Sequence, residues 1–219
     1  MVLQDEHKST HAVVECKRFR EAEWVFLHTD GRAPPARTAK GWVSHYEQGR
    51  FARFDWAELE PYPQSVEAGF CAIRGQSAND KSNLLERIGS ELIVATEALA
   101  AEERDLRPSR YGSMRFYFPV IVTTADLKVG TFDPLQVSLT DGTVPSAEFV
   151  SVPFLRFRKQ LSTRQIRPTP EDYDGPGSLS YMKEHTVFVV RADALPRFLG
   201  DLCVPPGVVR HLQAQVADR

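Results

Sequence analysis

An acidic residue, any residue, then lysine occurs three times in this chain: Glu6-His7-Lys8, Glu15-Cys16-Lys17 and Asp126-Leu127-Lys128. On an extended strand, residues two apart stand on the same face, so the carboxylate and the ammonium become neighbours. The carboxylate offers the hard oxygen that magnesium or manganese takes, and the ammonium stabilises charge developing on a phosphate. Context separates the three copies. The first lies in a polar turn and the third at an expected hairpin bend, where solvated charge explains them. Glu15 and Lys17 instead stand within Val13, Val14, Cys16 and Phe19. Unpaired charges there would face desolvation, which a divalent cation that orients and deprotonates a water would offset. The plainer alternative is a Glu and a Lys on the wet face of an edge strand.

Other signatures are missing from the sequence. It has no Gly-x-x-x-x-Gly-Lys-Ser/Thr phosphate loop, no Gly-x-Gly-x-x-Gly, no Gly-x-Ser-x-Gly and no His-Glu-x-x-His. The six histidines show no metal-ligand spacing, and Cys16, Cys71 and Cys203 form no Cys-x-x-Cys pair. Three widely spaced cysteines read as buried thiols of a reducing compartment. One stretch, residues 156–167, carries Arg156, Arg158, Lys159, Arg164 and Arg167 without an acid. It is the candidate nucleic-acid face, with a solvated strand end as the ordinary alternative. The net charge of −2 gives no global attraction to DNA.

These residues need elements to position them. The run His11 to Phe19 reads as a strand, as do Trp24 to Leu27 and Phe70 to Ile73. Residues 32–64 read as irregular, with the aromatics Trp42 to Tyr62 folding the stretch back on the body and, in one reading, lining a small-molecule pocket. The spacing of Leu85, Ile88, Leu92, Ala95 and Leu99 predicts a helix from about Asn83 to Glu103, capped by Asp80 or Ser82. Glu86, Arg87 and Glu91 flank its stripe and could serve a site or simply pair on the surface. Arg115 to Thr124 is nearly continuously apolar, the pattern of a strand covered on both faces. Leu127 to Phe132 is expected as its hairpin partner, Glu148 to Arg158 and His185 to Arg191 as further strands, and Asp193 as the cap of a short helix through Leu199. The fold class expected is α/β: a mixed central sheet with flanking helices, in a single domain.

A strand reading Val-Val-Glu-Cys-Lys-Arg, followed by a long helix and a buried strand, resembles part of the PD-(D/E)xK, or restriction-endonuclease-like, nuclease superfamily. The resemblance covers about residues 1–125, with residues 126–219 as a β-rich extension. It implies metal-dependent hydrolysis of DNA phosphodiesters, within a restriction or defence system. Glu15 would be a metal ligand, Lys17 the charge-stabilising or water-orienting group, and a further aspartate on the preceding strand would complete the site. Only fourteen residues precede Glu15, where that superfamily has a helix and one or two strands. The site is therefore expected to be incomplete, or completed by Asp5 as second metal ligand. A non-catalytic interaction domain on the same fold is the competing expectation, in a homo-oligomer or larger complex.

Composition bounds both. Apolar residues at 42% and charged residues at 26% of 219 are ordinary globular usage. No apolar run approaches the roughly 18 residues of a membrane span, and the polar stretch from Gln4 to Thr10 is unlike a secretory signal. A cytoplasmic protein without a membrane partner is expected.

Overall fold

The computed structural model describes residues 2–5, 8–19, 22–28, 38–47, 50–74, 84–106, 113–131, 135, 148–161 and 183–209. Among the described residues twelve strands dominate: β1 (Val2–Asp5), β2 (Lys8–Lys17), β3 (Glu23–His28), β4 (Ala39–Glu47), β5 (Arg50–Leu59), β6 (Glu67–Ala68), β7 (Phe70–Arg74), β8 (Ser113–Thr123), β9 (Asp126–Thr131), β10 (Glu148–Ser151), β11 (Phe154–Gln160) and β12 (Glu184–Arg191). Helix α1 (Leu84–Leu106) precedes β8, and a 3-10 turn at Ala192–Ala194 leads into α2 (Leu195–Asp201). The architecture is mixed α/β, with two mixed sheets.

The larger sheet is organised by β8. One edge of β8 pairs in parallel with β2 along its length, from Lys8↔Met114 to Lys17↔Thr123. Its other edge is divided. Antiparallel β4 takes the first part, Tyr46↔Ser113 to Trp42↔Tyr117, and parallel β12 takes the last, Phe188↔Val120 to Arg191↔Thr123. The sheet therefore forks, with hairpin β4–β5 on one branch and β12–β11–β6 on the other. The reason is visible in β8 itself: both faces are apolar. Tyr117 and Ile121 enter one core with α1 and the smaller sheet, while Met114, Phe116, Phe118, Val120 and Val122 enter a second core with Phe198 of α2. The smaller sheet runs β10–β9–β3–β7.

Several expected elements form differently. Residues 38–59 are largely the β4–β5 hairpin, in which Trp42 and Trp56 stand directly across from each other, rings perpendicular at 5.5 Å. Ala39 to His45 are buried on both faces, so the alternation that announces a half-buried strand is absent. Gly41 permits this closeness: a Cβ there would lie 2.6 Å from the Phe118 ring. β9 is not the hairpin partner of β8. At buried Ala125 the chain steps into the smaller sheet, where β9 pairs with β3 and β10. The expected strand from Glu148 to Arg158 breaks at Val152-Pro153 into β10 and β11, which belong to different sheets; Pro153 has no N–H to continue a ladder.

On α1, Leu85, Ile88 and Leu92 are buried as expected, whereas Ala95 is exposed. The 3.6-residue repeat carries the inner face to Thr96, Glu97 and Ala100 instead. Asp80 and Ser82 lie outside the described residues. Asp193 caps nothing: the α2 N-cap is Ala194, without a side-chain bond, and Asp193 pairs with Arg191. Of the three free cysteines, Cys71 is buried and its thiol pushed up to about 12 by burial, but Cys16 and Cys203 are exposed. The boundary at about residue 125 does not divide the molecule in space, because β12 and β11 extend the sheet that β2 and β8 begin. Among the described residues no helix is long and apolar enough to cross a membrane.

Candidate functional site

Cross-strand partners in a sheet share a face. Ser9, His11, Val13, Glu15 and Lys17 pair with Arg115, Tyr117, Pro119, Ile121 and Thr123, and so lie on the face of β2 that meets α1 and the smaller sheet. Glu15 and Lys17 are side by side there as expected, Nζ to Oε1 2.7 Å, with side chains 44% and 34% exposed respectively. β1 pairs with β2 only from Lys8 to His11. Among the described residues, Ala12 to Lys17 therefore have no strand neighbour on their outer side.

Asp5 does not join them. Its backbone pairs with Lys8, seven residues from Glu15 along β2, a separation of roughly 23 Å at about 3.3 Å per residue. Two carboxylates sharing one ion must both reach within about 2.1 Å of it, so the hairpin register excludes Asp5 from an ion at Glu15. Among the described residues no group of three or more His, Cys, Asp or Glu could hold a metal. What Glu15 does fit is the looser mode of magnesium, which can be held by one or two carboxylates with water and substrate phosphate supplying the rest.

The basic run has a different fate from that expected. Arg156 is 0% exposed. Its guanidinium donates to the Thr38, Pro61 and Pro63 carbonyls at 3.0, 3.0 and 3.3 Å, and burial lowers its pKa to about 10 against the pull of Glu67 and Glu58. A phosphate cannot reach it, which corrects its assignment to a nucleic-acid face. Arg158 lies between Glu58, at 2.5 Å, and Glu184, at 3.1 Å. Lys159 is ion-paired with Glu86 of α1. Arg164 and Arg167 lie outside the described residues. Arg87 and Glu91 are exposed on α1.

Two further polar groups were not legible beforehand. On the same face of β2, Ser9 Oγ lies 2.8 Å from His11 Nε2, and His11 stacks on Tyr117 with ring centroids 4.7 Å apart. The Tyr117 hydroxyl donates to Glu103 at 2.8 Å, and Arg115 stands 3.6 Å from the same carboxylate. Burial lowers the His11 pKa, opposed by Glu103. The second group lies where β2, β8 and β12 end. Lys17, Thr123 and Arg191 form one cross-strand row over three adjacent parallel strands. A cleft of about 300 Å³ opens beside that row, lined by Thr123, Thr124, Ala125, Asp126, Arg191, Ala192 and Asp193. Thr124 ties it to β2, its hydroxyl donating to the Phe19 carbonyl at 2.8 Å and accepting from the Phe19 amide at 3.0 Å. Arg191 follows the buried apolar run Val187 to Val190 of β12, and a charged residue at the carboxyl end of a parallel strand is the signal that could have found it.

No protein family, no curated protein and no solved structure matches the chain.

Proposed function

We propose that the chain is a metal-dependent nuclease of the restriction-endonuclease-like kind, hydrolysing DNA phosphodiesters at Glu15 and Lys17. The observation that supports this is the placement of the pair: a carboxylate and an ammonium on one face of β2, at the carboxyl end of a strand parallel to one buried from Phe116 onward, beside an open cleft. Ligands of parallel sheets bind at those strand ends. Glu15 would hold the magnesium or manganese ion, whose contribution is Lewis acidity and a bound water of lowered pKa. Lys17, freed from Glu15 when the carboxylate turns to a cation, would donate to the phosphate oxygens and stabilise their growing charge. The exposed free thiols Cys16 and Cys203 suit the reducing cytoplasm in this reading.

The Asp5 register favours a second reading, an interaction domain without catalysis, since it leaves Glu15 the one carboxylate assigned to the ion. Plasmid cleavage with magnesium and with manganese, alongside calorimetric titration of manganese, separates the two. For a nuclease, Glu15→Gln loses both cleavage and most manganese affinity, whereas Lys17→Ala loses cleavage and keeps the ion. Wild-type protein that neither cuts nor binds manganese leaves the interaction domain standing.

A further inference from the structure

We infer that the cleft at the carboxyl ends of β2, β8 and β12 is a subsite for a phosphate oxyanion, with Arg191 as its principal ligand and Lys17 as its second cation. The phosphodiester reading above supplies the identity of the substrate; the subsite itself rests on geometry. The register puts Lys17 and Arg191 on either side of Thr123, all three on one face. Neighbouring strands are about 4.8 Å apart, so the two backbones flank Thr123 across roughly 10 Å, and two long cationic side chains can converge on a single anion over it. The cleft lies beside that row.

The present partner of Arg191 indicates what it would take. Asp193 receives two parallel bonds from the guanidinium, Nε to Oδ1 at 2.9 Å and Nη2 to Oδ2. That fork matches a phosphate as well as a carboxylate, so the Asp193 oxygens occupy the places that two phosphate oxygens would fill. The Asp193 side chain is 64% exposed, and it can return to water when an anion displaces it. Nη1 has no partner among the described residues and remains as a donor. Glu15, Asp126 and Asp193 are the negative charges about this row. They set its affinity low in the free protein, and Asp193 competes directly.

The competition provides a signature that a merely structural arginine lacks. Nitrogen-15 labelled protein, without metal, is titrated with inorganic phosphate and separately with the phosphodiester TpT, each against sodium chloride of matched ionic strength. Arg191→Ala should weaken binding about tenfold, the scale of a lost charge-assisted bond, and Asp193→Asn should tighten it several-fold. Arg191→Lys keeps the charge but not the fork and should fall between; it decides the matter if the alanine variant does not fold. Tighter binding of TpT than of phosphate assigns the site to a nucleic-acid backbone, and the reverse order to a free phosphate or monoester. Wild-type protein whose spectrum responds no differently to the two phosphates than to chloride, or affinities unmoved by changes at Arg191 and Asp193, would overturn the subsite. Phosphate binding that behaves as expected in a protein that cuts no DNA keeps the subsite and removes the nuclease.

Discussion

Two charged regions of the larger sheet invite comparison: the free end of β2 and the interior between β5, β11 and β12. Each contains carboxylates paired with cations. At the end of β2, Glu15 and Lys17 are two residues apart on one strand and roughly half in water, where such a pair contributes about 0–1 kcal/mol. In the interior, Lys40, Arg156 and His185 are all buried, and Arg158 is held by carboxylates from two other strands. Removing one member there strands the others without solvent. Charges inside hold the fork of the sheet together; charges at the strand end are at liberty to meet a ligand.

The sharpest test of that contrast is Arg156→Ala. It leaves the Thr38 and Pro63 carbonyls without this donor, while Pro61 keeps the Gln64 amide, and it removes one of the two cations, Arg156 and Arg158, that act on half-buried Glu67, so urea denaturation should show a loss of about 3–5 kcal/mol. A loss below 1 kcal/mol would erase the distinction between the regions. A smaller effect is expected from His185. Burial, with Lys40 and Arg158 adding to it, pushes its pKa down to about 3, and among the described residues neither ring nitrogen has a hydrogen-bond partner. The folded protein therefore keeps this ring neutral while the unfolded chain protonates it near pH 6.5. Its contribution is complete above pH 6.5 and is lost as pH falls toward 3, by up to about 1.4 kcal/mol per pH unit. His185→Phe should flatten the fall in urea midpoint between pH 6.5 and 5 relative to wild type, leaving the slope due to His11. An unchanged slope would show that His185 is not the group responsible. Smallest of all, Lys17→Ala should leave stability within about 0.5 kcal/mol of wild type, measured in the same urea series. A larger loss would make the β2 end a structural pair and weaken its claim to a ligand.

The same contrast explains what the sequence disclosed. Strands with a recognisable apolar character, β2, β3, β7, β8 and β12, were legible, as was α1, because periodicity follows from which face meets the core. The β4–β5 hairpin was not, since Lys40, Ser44 and His45 are buried polar residues that interrupt any apolar pattern; the Lys40 amide bonds to Thr186, far along the chain. Arg156 misled for the same reason: its acceptors are carbonyls that no local pattern announces. Of the candidate site, the Glu15–Lys17 neighbourhood followed from the period of two alone. Arg191 did not, because the row joining it to Lys17 exists only through the registers of two strand pairings.

The divided edge of β8 also has a consequence for how the chain comes to be folded. During synthesis β8 emerges when β2 and β4 have already been made, but its pairing partner for Val120 to Thr123 is β12, more than 60 residues further on. Until that segment leaves the ribosome, the most apolar stretch of the molecule is an open edge, able to recruit strands from other chains. Long-range pairings of this kind also slow closure of the sheet. Yield of folded protein should therefore depend on the pace of translation through residues 124–191 and on chaperones that shield one short edge.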